Sequence, residues 1–161
     1  MADKLRVGIA EFRVARAPEI LISYGLGSCL GIVLYDARLQ LGGLAHTLLP
    51  GVRAGRAESR PAKHVEGAIR LMLDELLAAG SGPQHLTAKL AGGANMFESL
   101  NPASEDGIGA RNISAGRQVL AQLGIPLVAE DVGGNHGRTI EFDLATGLLR
   151  VRSLRVGDLC I

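Results

Sequence analysis

The sequence predicts an α+β sandwich, with stacked β-sheets of mixed or antiparallel pairing and two principal helices packed on their outside. Three observations carry this. Short apolar runs bounded by glycine turns crowd both ends of the chain, only two segments repeat apolar residues at helical spacing, and regular βαβ alternation is missing. With 161 residues, 47% of them apolar, the chain is sized for one core, and a single domain over 1–161 is expected.

The elements follow in order. The first fifty residues read as sheet: a strand near 5–14, another near 19–23, then CLGIVLYD and LGGLAHTLLP. CLGIVLYD packs β-branched and aromatic residues into a short run closed by Asp36, as a buried strand would, and Cys29 stands where that strand begins. GVRAGRAESR, at 51–60, has glycine and arginine but no apolar period, which predicts a surface loop. Ser59 and Pro61 signal a helix start, and Val65, Ala68, Ile69, Met72 and Leu76 keep helical spacing until Gly80. A short strand, LTAKLA, leads into the turn GGANMF and a polar stretch to Gly109. The second helix buries Ile113, Gly116, Leu120 and Leu123 and stops at Gly124. PLVAEDV, TIEFDL and LLRVRSL then read as three strands separated by glycine turns.

Composition narrows the function. The net charge of +1 arises from 17 basic and 16 acidic residues spread along the chain, so there is no footprint for nucleic acid or an anionic membrane, and a macromolecular partner is expected to be a protein. No apolar stretch reaches the ~18–20 residues that span a bilayer, and MADKLRVGIAEFRV reads as a strand, not a signal-peptide core. A cytoplasmic protein without membrane insertion is expected. Cys29 and Cys160 are too few for a disulfide framework and read as free thiols.

Cys29 follows Gly25, Leu26, Gly27 and Ser28, a glycine bend that can present a side chain at a strand edge among backbone N–H groups; the alternative is a small buried packing residue. His46 interrupts an apolar strand and must satisfy two ring nitrogens, either as a core histidine bonded to backbone or as the acid/base partner of Cys29. If their strands adjoin, the imidazole lowers the thiol's pKa and yields a thiolate. Ser23 can orient that imidazole or simply cap local backbone. The N–H groups of Gly27 and Ser28 are the oxyanion candidates.

Other motifs weigh less. Gly25-Leu26-Gly27 fails as a dinucleotide loop because the third glycine comes one place late, at Gly31, and a strand follows. Gly92-Gly93 and Gly133-Gly134 read as left-handed turns. His64, His85 and His136 are scattered surface or loop histidines without metal-ligand spacing, so no metal is expected. Asp131, Arg138, Arg111 and Asn112 stand at element ends, where fixing turns is the default role.

The strings GLGSC, LYD, GGLAHTLLP, RPAK opening a helix, AKLAGGANMF, IGARN, AEDVGGNHGRTIEFD and a trailing TG occur in this order over nearly the whole chain, and the sequence resembles the CheD family of chemotaxis glutamine deamidases. The resemblance implies conversion of chemoreceptor glutamines to glutamate, through a Cys thioester, without cofactor. Cys29 and His46 match the family's catalytic cysteine and histidine. Ser23 stands where the family has threonine, and His64 stands where a tyrosine is expected. It further implies a fold similar to the catalytic domain of a toxin that deamidates a GTPase glutamine, the cytoplasmic helices of chemoreceptors as substrate, a CheC-type phosphatase as regulator, and a weak methylesterase side activity. Two other readings are a non-catalytic docking module for such a phosphatase and an amidase acting on free glutamine.

Overall fold

The structure, a computed structural model, describes residues 2–51, 60–96 and 107–161. Among the described residues, ten strands form two five-stranded sheets. β1 (Lys4–Arg6), β3 (Ile20–Leu26), β8 (Arg138–Asp143), β9 (Leu148–Ser153) and β10 (Gly157–Cys160) lie in that order in one sheet. The other runs β2 (Glu11–Arg16), β5 (Leu41–Thr47), β4 (Leu30–Asp36), β6 (Thr87–Gly92) and β7 (Leu127–Val132). Both helices, α1 (Val65–Ala78) and α2 (Ile108–Leu123), pack on this second sheet. The predicted α+β sandwich is therefore the observed fold, with its helices confined to one side.

β4 explains the layering. All seven of its residues are buried, and strand alternation sends its side chains to two cores. Leu30, Ile32 and Leu34 meet Val65, Ile69, Met72 and Leu76 of α1 together with Ile113 and Leu120 of α2. Val33 and Tyr35 face the other sheet, where Leu21, Leu26, Ile140, Phe142 and Val151 complete an interlayer that also holds Cys29. CLGIVLYD reads as a near-continuous apolar run because it is covered on both faces.

Four differences from the expected elements have physical causes. The strand predicted over 5–14 is two strands in different sheets. Ala10 adopts a left-handed backbone with φ 61°, the Glu11 carboxylate accepts from the Gly8 N–H at 3.3 Å, and the chain crosses there from one sheet to the other. α1 begins at Val65 after a 3-10 turn at Pro61–Lys63 and an extended His64; the Ser59 start signal lies outside the described residues, as do 52–59 of the predicted loop and 97–106. β6, α2 and β7 form one parallel crossover unit. β10 was not anticipated from GDLC, a four-residue, wholly exposed edge without apolar alternation.

Candidate active site

Ser23 stands near the end of β3, Cys29 just before the start of β4 and His46 near the end of β5. Within β3 the pairing with β8 shifts between Ser23 and Leu26, and Gly25, at φ 71°, takes the left-handed conformation that lets the chain bulge there. The bend Gly27-Ser28 then feeds β4. In the antiparallel pair β4/β5, Gly31 lies opposite His46. Cys29 precedes Gly31 by two residues and so shares its face, which makes Cys29 and His46 diagonal neighbours on adjacent strands. Diagonal pairs sit roughly 7–8 Å apart at the backbone, within reach of longer side chains. A side chain at position 31 would crowd Ile140 at 2.5 Å and Leu26 at 3.0 Å, so glycine there lets these two side chains pack close against β4 opposite the imidazole.

The hydrogen bonds fix the imidazole's tautomer. The Ser23 hydroxyl donates its one hydrogen to the Val7 carbonyl at 2.7 Å and lies 2.8 Å from His46 Nδ1. It must therefore accept there, so Nδ1 carries the proton. That leaves Nε2 as a bare acceptor, and it is buried without a hydrogen-bond partner. Ser23 and His46 are both fully buried, and Cys29 is 9% exposed.

Burial sets the charge state. It pushes the Cys29 thiol up from its ordinary value, against a smaller opposite pull from the residue's own backbone N–H. It pushes His46 down from 6.5. Both directions favour the uncharged forms, a neutral thiol and a neutral imidazole, over the thiolate that adjoining strands were expected to produce, because desolvation disfavours each charged form.

The bend is held from behind. The Gly27 carbonyl accepts from Ala94 N–H at 2.9 Å, the Ser28 carbonyl from Asn112 Nδ2 at 2.9 Å, and the Cys29 carbonyl from Gly93 N–H at 2.8 Å. In a trans peptide the C=O and the following N–H point opposite ways. Tying the Gly27 and Ser28 carbonyls into the protein thus turns the N–H groups of Ser28 and Cys29 to the other side of the bend. Of the two predicted oxyanion donors, Ser28 has this orientation.

Several contributors read in the sequence only as turn residues, without a link to the site. Gly92 and Gly93 adopt positive φ, and a side chain at 92 would collide with the Cys29 carbonyl, so this pair is a close-packing device at the bend. Its one visible signal was the doubled glycine. Asn112, fully buried on α2, donates to Ser28 and also to the Leu48 carbonyl at 3.0 Å, which ties the entry of β4 to the exit of β5. Arg138 pairs with Asp131 at 3.1 Å, His64 is buried and not at the surface, and Arg111 is exposed on α2. His85 lies in a 3-10 turn and Cys160 is exposed on β10. Among the described residues no group of three or more His, Cys, Asp or Glu side chains could hold a metal ion, and no helix is long and apolar enough to cross a membrane.

A thiol and a hydroxyl-oriented imidazole facing one buried layer of an α+β sandwich can perform the chemistry of the cysteine hydrolases, acyl transfer through sulfur. The chain belongs to the CheD family: the family model described as CheD chemotactic sensory transduction matches residues 48–153. A Geobacter metallireducens protein named probable chemoreceptor glutamine deamidase CheD 2 is 52% identical over 156 residues, 96% of each chain. A Geobacter sulfurreducens protein named probable chemoreceptor glutamine deamidase CheD 3 is 48% identical over the same span. A Pyrococcus abyssi protein named probable chemoreceptor glutamine deamidase CheD is 44% identical and covers 98% of this chain and 96% of its own. Among solved structures, a Neisseria meningitidis protein of the DUF152 family superposes with a TM-score of 0.51 at 13% identity, over 83% of this chain and 64% of that one, and bears on the fold alone.

Proposed function

We propose that this chain is a chemoreceptor glutamine deamidase, a protein-glutamine glutaminase that converts selected receptor glutamines to glutamate and releases ammonia. One observation carries the chemistry: Ser23 fixes the proton on His46 Nδ1 and leaves Nε2 as a bare base on the face that Cys29 shares. The relatives' names supply the substrate.

The cycle runs from the neutral pair. As Cys29 Sγ attacks the glutamine side-chain carbonyl carbon, His46 Nε2 takes the thiol proton, and the Ser28 and Cys29 N–H groups, with Gly27 shaping the bend, receive the oxyanion. The imidazolium then donates its proton to the departing nitrogen, ammonia leaves, and a thioester remains. Water, deprotonated by His46, attacks the thioester; the sulfur departs and recovers the proton, which yields glutamate. Ser23 holds the ring through both transfers. Catalytic hydrogen bonds commonly tighten only once substrate is bound, which suits a resting site where Nε2 is unbonded. A methyl ester presents the same acyl carbon, so weak methylesterase activity accompanies the reaction.

The substrate lies on the cytoplasmic helices of chemoreceptors, which sets the enzyme in the cytoplasm, and a CheC-type phosphatase that occupies the same face regulates it. The burial of Cys29 also suits a second reading, a docking module whose thiol is inert. Incubation with receptor cytoplasmic fragments separates the two. Wild type adds about one dalton per converted glutamine, while Cys29→Ala and His46→Ala do not. Equal conversion by wild type and Cys29→Ala rejects the enzymatic reading.

A further inference from the structure

Beside the glycine bend lies a cavity of about 620 Å3 that the mechanism above does not use. Tyr24 and Gly25 of the β3 bulge line it together with Met96, and a side chain at Gly27 would meet Met96 at 3.2 Å, so the cavity adjoins the segment that carries the nucleophile. Its far wall is basic: Arg138, Arg152 and Arg155, with His136 among them.

The guanidinium groups are only partly satisfied. Arg138 is 3% exposed; its Nε donates to Asp131 at 3.1 Å, but its Nη1 is buried with no acceptor. Arg152 meets Glu141 through Nη2 at 3.3 Å, and its Nε is likewise buried without an acceptor. Arg155 is exposed, and its Nη1 meets the neutral amide oxygen of Asn135 at 3.4 Å. The carboxylates nearby are already engaged: Asp158 with Arg150, Asp131 with Arg138, and Glu141 shared between Lys4 and Arg152. Of the charged side chains that line the cavity, Arg138, Arg152 and Arg155 outnumber Asp158, which Arg150 engages. The excess positive field is felt by His136, whose pKa is lowered first by burial and then by Arg138 and, more weakly, Arg155, against a partial opposite pull from Asp131. A buried guanidinium N–H without an acceptor, in a cavity of net positive charge, calls for an anion that can accept in the plane of the fork. Tyr24 and Met96, each about half exposed, add apolar surface for the methylene stem of a side chain.

We propose that this cavity is a carboxylate subsite, which takes an acidic side chain of the substrate protein standing within one or two helical turns of the glutamine offered to Cys29. The inference rests on the deamidase reading above and adds to it a rule for choosing among receptor glutamines: an acidic neighbour on the same helix face is part of what is recognised.

The test uses receptor cytoplasmic fragments in which each acidic residue within two turns of a converted glutamine is changed in turn to alanine or lysine. Arg155→Ala and Arg138→Lys are expected to raise KM about tenfold with kcat nearly unchanged, the size of one charge-assisted hydrogen bond. One alanine-substituted fragment should show the same rise with wild type and none further with Arg155→Ala. The matching lysine-substituted fragment should be restored by Arg155→Glu, which a merely structural role for Arg155 does not predict. If Arg138→Lys fails to fold, the exposed Arg155 decides alone. Unchanged KM in Arg155→Ala, with wild type converting glutamine normally, overturns the subsite and leaves the deamidase reading intact. Equal conversion by wild type and Cys29→Ala overturns the deamidase reading itself.

Discussion

The Ser23 hydroxyl has one hydrogen and gives it to Val7, so its only role toward His46 is as an acceptor. Replacing Ser23 with alanine removes that acceptor and also the donor to Val7, leaving a buried N–H and a buried C=O unpaired. We expect Ser23→Ala to lose about 1–3 kcal/mol in urea unfolding and roughly a hundredfold in kcat, the low end of what a positioned proton-transfer group supplies. Ser23→Thr, which restores the family residue, should keep both bonds and full activity. The same burial makes two predictions about pH. Since His46 is held below 6.5, the acid limb of kcat/KM should fall below that value, where the base becomes protonated. The unfolded chain binds this proton more readily than the folded one, so the stability from keeping His46 neutral is complete above 6.5 and is lost as pH falls through the depressed value; thermal unfolding between pH 7.5 and 5 measures this. With Cys160 replaced by serine, iodoacetamide labelling of Cys29 in the free protein should titrate above the ordinary 9.0, because burial dominates that thiol. A midpoint near neutrality would mean a preformed ion pair and would contradict the neutral resting state.

At the scale of elements, the site is an agreement among three chain segments about where two strand ends stop. Asn112 reaches Ser28 and Leu48 across sequence separations of 84 and 64 residues, so one amide binds the start of β4 to the end of β5. Asn112→Ala should cost about 1–3 kcal/mol for the two stranded carbonyls, and it should lower kcat more than KM, because the bend loosens while the outer surface is untouched; Asn112→Asp, isosteric but without the donors, should do no better. This residue also marks the limit of what the chain disclosed in advance. α1, α2 and most strands were legible because burial writes a period into the sequence, and β4 because cover on both faces leaves an unbroken apolar run. The crossing at Ala10 was not, since a positive φ in alanine has no compositional sign and follows from the Glu11 to Gly8 contact. Nor could periodicity tell that β1 and β2 separate, or that β6 and β7 run parallel, because pairing partners are tertiary choices. Cys29, His46 and Ser23 stood out as chemically awkward residues in apolar surroundings, but the Asn112 bridge and the Gly93 bond to Cys29 exist only once distant segments meet.

For the whole molecule, the two cores carry different duties. The layer between α1, α2 and the second sheet holds the fold together behind the site, whereas the interlayer between the sheets is the floor of the site itself. Two isoleucines make a matched comparison. Ile69 lies in the helix-side core and Ile140 in the interlayer, where its Cδ1 fills the space next to Gly31, opposite His46; both are fully buried. Valine at either position deletes one methyl group from a packed environment and should cost about 0.5–1.5 kcal/mol in urea unfolding. The catalytic consequences should diverge. Ile69→Val leaves the faces of β4 and β5 that bear Cys29 and His46 unchanged, and activity per folded molecule should match wild type. Ile140→Val leaves a gap beside the imidazole into which Leu26 or the ring can shift, and small displacements of a reacting group are magnified in rate. A fall in kcat confined to Ile140→Val, at equal loss of stability, would place proton-transfer geometry in the interlayer; equal kcat in both variants would show that the site is held by its hydrogen bonds alone.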